Sequence, residues 1–189
     1  LALALVGLLQ AFKAMSPPEA FTLGLAAIFF GSVELRLAAL RWPISAALAR
    51  LIAATAVSYL SLFLSSGAWL WQTFGFALAC GCLGAALSLA GSIETLAEAP
   101  VRKRKILSRL TILTTVSCPA LCGILVQLGE VGSGYLLVFA LIPALASTFN
   151  HLNSYEKDGA IPPRLLNSMA AGNLLFIVII AGVGIVYRA

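Results

Sequence analysis

The sequence predicts an all-α fold, a polytopic transmembrane helix bundle of about seven spans, and three observations predict it. The 189-residue chain is 61% apolar and only 10% charged, whereas a soluble domain is usually about a quarter charged. Its mean hydropathy is +1.02, so polar surface is too scarce to cover a water-soluble body and lipid is the solvent for much of the exterior. The basic residues gather in alternate loops between long apolar runs. Those unbroken runs exclude a β-barrel, whose strands alternate apolar and polar over about ten residues.

A span needs about 20 mostly apolar residues, and the candidates fall at 1–12, 20–35, 46–66, 68–91, 107–128, 133–151 and 165–187 within a single domain, 1–189. The first, LALALVGLLQAF, has no basic region before it and no clear small-residue cleavage site after it; it is expected to be a short or truncated span rather than a signal peptide. Pro17-Pro18 separates the first pair, and Pro43 follows the charged stretch Glu34 to Arg41 ahead of the third span. Ser65-Ser66-Gly67 turns the third into the fourth. Pro100 and the run Arg102-Lys103-Arg104-Lys105 break the fourth from the fifth. Gly129 to Gly134 joins the fifth to the sixth, and Asp158-Gly159 with Pro162-Pro163 precedes the seventh. Residues of these types end helices for steric reasons.

Charge tests the count independently. Of the 12 Lys and Arg, Arg36, Arg41, Arg50, the run Arg102 to Lys105, Arg109, Lys157 and Arg164 all fall on one side of such a bundle. Only Lys13 and Arg188 fall on the other. The positive-inside rule then places the basic loops on the cytoplasmic, or matrix or stromal, side of a bacterial or organellar inner membrane. The net charge of +5 therefore orients the chain and does not mark a nucleic-acid binder, since no basic tail or aromatic-basic face accompanies it.

The fourth span carries small residues at Ala77, Gly81 and Ala85, a four-residue spacing that lets helix backbones approach closely in lipid. This span is expected to pack centrally or against a partner. Pro119 and Pro143 stand inside spans five and six, where each removes a backbone hydrogen bond and kinks the helix. Arg50 lies about one turn into span three, either snorkelling to the headgroups or paired with Glu34 across the intervening hairpin. Asn150 and His151 end span six in its most polar stretch. With Arg164, Asn167 and Asn173 they are the candidates for a polar vestibule or transport path, in which His151 would relay protons. The simpler alternative is a solvated helix end. Arg102, Lys103, Arg104 and Lys105 suit anionic lipid headgroups.

Chemistry of other kinds finds little footing. The four cysteines, Cys80, Cys82, Cys118 and Cys122, all lie in apolar runs and are expected to be buried, inert thiols. The one histidine, His151, lies far along the chain from the cysteines, so a zinc site is not expected, and neither a catalytic triad nor a bis-histidine haem site can be assembled. No catalytic residue, metal or cofactor is indicated beyond lipid.

Three short stretches are similar to known families. Arg164-Leu165 through Ala171-Gly172-Asn173-Leu174-Leu175 resembles the arginine-bearing helix of rotary ATP synthase subunit a, which would make Arg164 the ring-facing arginine. Pro162-Pro163 directly before it departs from that family, whose arginine lies mid-helix. The hairpin from Ala90 to Leu107, with Glu94, Pro100 and Lys105, resembles proteolipid c-type hairpins but lacks the carboxylate of the following helix. The layout of spans and basic loops resembles membrane prenyltransferases of the UbiA type, whose paired aspartate motifs are missing, as Asp158 is the only aspartate. None of the three assigns a family.

The expected function is accordingly a non-catalytic multi-pass membrane subunit or assembly partner of a larger complex, in contact with membrane lipids and other membrane subunits and not with nucleic acid. The alternatives are a small transporter, channel or proton-path subunit, and a lipid-modifying enzyme of prenyltransferase type.

Overall fold

A computed structural model describes residues 16–38, 43–66, 71–95, 100–159 and 165–188. Among them every regular element is helical: α1 (Pro17–Ala38), α2 (Pro43–Ser66), α3 (Trp71–Thr95), α4 (Val101–Gln127), a 3₁₀ segment (Ser133–Ala140), α5 (Leu141–Asp158) and α6 (Leu165–Arg188). The candidate span 1–12 lies outside the described residues.

The helix ends follow local chemistry. Proline opens α1 and α2, where its missing N–H costs nothing because the first-turn donors have no helical partner. The Ser16 N–H donates to the Glu19 carboxylate at 2.8 Å, half of a capping box, and this bond holds the exposed carboxyl below its ordinary range. At the far end of α4, Gly129 adopts φ +72°. Its N–H donates to Val126 O, and that of Glu130 to Leu125 O, the paired bonds that close a helix through a left-handed residue. Gly129 thus ends the helix where the sequence places a turn.

Three helices are long and apolar enough to cross a bilayer by length and composition: Pro43–Leu60 within α2, Thr73–Thr95 within α3 and Val101–Gln127. A fourth arises only if Ser133–Pro143 and Thr148–Asp158, bent by 47°, count as one span. α6, 24 residues long, carries the apolar stretch Leu165–Ile180. The described residues therefore support a helical membrane bundle with three to four spans by these criteria, not the seven expected.

Two local differences from the expected layout stand out. The stretch 133–151, expected as one straight span, is an eight-residue 3₁₀ segment followed by a bent α-helix. Pro143 in the first turn of α5 withholds an amide hydrogen, and the backbone ahead of it is wound into the tighter helix. The basic run Arg102 to Lys105, expected to be an interhelical break, belongs to α4, whose helix starts immediately after Pro100. Basic side chains have good helix propensity and can point to water from a helix end, so charge alone does not interrupt a helix.

The core is organised around α3. Ala85, Ala86, Leu89, Ala90 and Ile93 of α3 pack with Leu107, Leu152, Tyr155, Leu165 and Met169 from α4, α5 and α6. Farther along α3, Ala79 and Leu83 meet Cys118, Cys122, Val138 and Phe176. Cys82, Cys118 and Cys122 are buried, Cys80 is half-buried, and all four are free thiols. Large apolar side chains are exposed along α4 (Leu113, Ile124) and α6 (Leu174, Leu175, Ile177, Val178), a surface that water would penalise and hydrocarbon does not.

The hydroxyls of α4 show how a helix with polar residues fits that setting. Thr111, Thr114, Thr115 and Ser117 each donate to the carbonyl four residues earlier, at 2.7–2.8 Å. Each hydroxyl hydrogen is thus satisfied within its own helix, and the side chain presents mainly carbon to its surroundings.

Candidate functional site

The starts of α2, α4 and α6 and the ends of α3 and α5 meet at one end of the bundle, and long-range polar contacts tie that end together. Glu94, near the end of α3, accepts a hydrogen bond from the Leu166 N–H at 2.8 Å. This satisfies a first-turn donor of α6 with a carboxylate, the favoured charge at a helix N-terminus. Ser108 Oγ of α4 donates to Leu152 O of α5 at 2.9 Å, fully buried. Arg109 and Glu156 pair at 3.2 Å near the surface.

Between these ties sits a less satisfied group. Gly159 closes α5 with φ +76°, its N–H donating to Tyr155 O. The Arg104 guanidinium lies directly against Gly159, in the space that a Cβ there would take. Tyr155 is fully buried. Among the described residues neither Tyr155 Oη nor Arg104 Nε, both buried, has a hydrogen-bond partner.

Beside this group, the first turns of α2 and α4 enclose an apolar groove of about 390 Å³. Pro43, Ile44, Pro100, Ile106 and Leu107 form its walls, and Arg102 and Lys103 border it. A helix of 27 residues is about 40 Å long at about 1.5 Å per residue. The hydrocarbon core is about 30 Å thick. The excess carries the first turns of α4, and with them the cations, into the headgroup layer when the rest of the helix fills the core.

The sequence candidates disperse over the bundle. Asn150, His151 and Asn167 are exposed, with the Asn150 carbonyl accepting from Ser154 Oγ at 3.2 Å. Asn173 is buried instead, its Nδ2 donating across to Leu83 O of α3 at 3.3 Å. It also borders a small internal cavity of about 20 Å³ with Thr115, Cys118 and Pro119. Arg50 lays its Cγ 3.2 Å from the position a Cβ on Gly84 would occupy, so its stem packs along α3. The Glu34 side chain and Arg164 lie outside what the structure describes. Ala77, Gly81 and Ala85 are all buried. A Cβ on Gly81 would lie 2.7 Å from Leu51 O and collide with Thr55 Oγ1.

Sequence reasoning overlooked Ser108, met Tyr155 and Glu156 only as members of the polar stretch that ends span six, and met Glu94 only as part of a hairpin. No local signal marks the partners of Ser108, Glu156 and Glu94, which lie 44 to 72 residues away in the chain. Among the described residues no group of three His, Cys, Asp or Glu could hold a metal. Comparison with protein-family models, curated proteins and solved structures gives no match.

Proposed function

We propose that this chain is a non-catalytic multi-pass membrane subunit, an assembly partner within a larger membrane complex. One observation supports the reading above others: the buried polar side chains Ser108, Thr111, Thr115 and Asn173 are spent on backbone carbonyls. They tie helices together or satisfy their own helix instead of converging on an open cavity where chemistry would occur. The apolar outer faces of α4 and α6 are then available to lipid or to neighbouring subunits. The basic end lies on the cytoplasmic, matrix or stromal side in this reading, following the positive-inside rule.

Native mass spectrometry after mild solubilisation tests it. The expected result is a complex of fixed stoichiometry containing other membrane subunits. A chain that stays monodisperse alone and moves solute or protons in liposomes overturns the reading.

A proton-path role is the second reading, favoured by the 20 Å³ cavity beneath Pro119. That volume exceeds the roughly 10–15 Å³ needed for one water, although its walls are mainly apolar and the Thr115 and Asn173 donors bordering it are turned to backbone carbonyls. Proton flux in liposomes that stops with Asn173→Leu would replace the first reading with this one.

A further inference from the structure

The groove between the first turns of α2 and α4 pairs an apolar trough with a cationic border, and we propose that it holds one anionic phospholipid, with an acyl chain in the trough and the phosphate on Arg102 and Lys103. The inference rests on the membrane setting and not on the subunit role. The trough suits hydrocarbon: Leu107 lies buried at its inner side, with Ile44 and Ile106 partly exposed along it. Two of its remaining wall residues, Pro43 and Pro100, have no N–H to leave unsatisfied against a lipid chain. Arg102 is exposed and Lys103 half-buried, so both reach the rim without being consumed in the core.

Charge complementarity selects the headgroup. The first turn of α4 contains no acidic residue, and the helix N-terminus adds its own partial positive charge to that of the basic run. A zwitterionic phosphocholine headgroup brings a cation that this rim repels, whereas an anionic phosphoglycerol headgroup brings none. Lys105 is the internal control, because it is exposed in the same run but does not line the groove.

The test uses the full chain reconstituted in vesicles of equal parts phosphatidylglycerol and phosphatidylcholine, with retained lipid read by native mass spectrometry. One phosphatidylglycerol per chain is expected in preference to phosphatidylcholine. The R102Q/K103Q double variant should retain about tenfold less. I106W, which fills the trough and leaves both cations, should lose retention to a similar extent, while K105Q stays within about twofold of the parent. These variants perturb opposite parts of the site, so a folding defect in one leaves the other decisive. Equal retention of the two lipids, full retention by I106W, or a loss in K105Q matching the double variant would overturn the proposal.

Discussion

At the seam between α2 and α3, Gly81 lets the helices close until a Cβ would crowd Leu51 O, and Gly84 makes room for the stem of Arg50. Where α3, α4, α5 and α6 meet, the ties are instead polar: Ser108 to Leu152 O, Glu94 to the Leu166 N–H, and Arg109 to Glu156. The magnitudes differ as well. Overpacking a closed seam costs about 1–3 kcal/mol, while an interhelical hydrogen bond inside a membrane averages about 0.6 kcal/mol. Substitution should therefore be felt more strongly at the closed seam than at any single polar tie of the second region.

Four substitutions sharpen that contrast, from the largest expected effect to the smallest. Gly81→Val should destabilise most, by about 3 kcal/mol, because its first added carbon meets a backbone oxygen; thermal unfolding in detergent would show the loss. Gly159→Ala should cost about 1–2 kcal/mol for the left-handed backbone alone, plus the displacement of Arg104 that a Cβ forces. Its effect should appear as a lowered melting midpoint that Arg104→Ala partly restores. Ser108→Ala should cost about 0.6 kcal/mol, read as faster hydrogen exchange around Leu152. Arg109→Gln should change stability by less than about 0.5 kcal/mol, since the arginine side chain is 64% exposed. A double-mutant cycle with Glu156→Gln measures that coupling. A loss at Ser108 larger than at Gly81 would reverse the ranking of the two regions.

The seam was the more legible of the two in the sequence. Ala77, Gly81 and Ala85 recur every fourth residue, and that spacing alone places them on one helix face. Gly129 and Gly159 sit where turns were expected, and both take positive φ. The polar end was less legible. Asn167 and Asn173 look equivalent as polar residues on one helix, yet one is exposed and the other bonded in the core. Six positions turn a helix through about 600°, or 240° net, so the two asparagines point in different directions. Which of them faces α3 depends on how α6 is rotated.

Apolar composition and long uninterrupted runs by themselves determined that this is a helical chain suited to lipid, because hydrocarbon offers backbone amides no partner and helices supply one internally. Tertiary structure alone decided that Glu94 caps α6, that Ser108 reaches Leu152, and that Arg102 and Lys103 border an apolar trough. Such pairings depend on the rotation and offset of whole helices, which arise from packing summed over many contacts and leave no mark in any short stretch of residues.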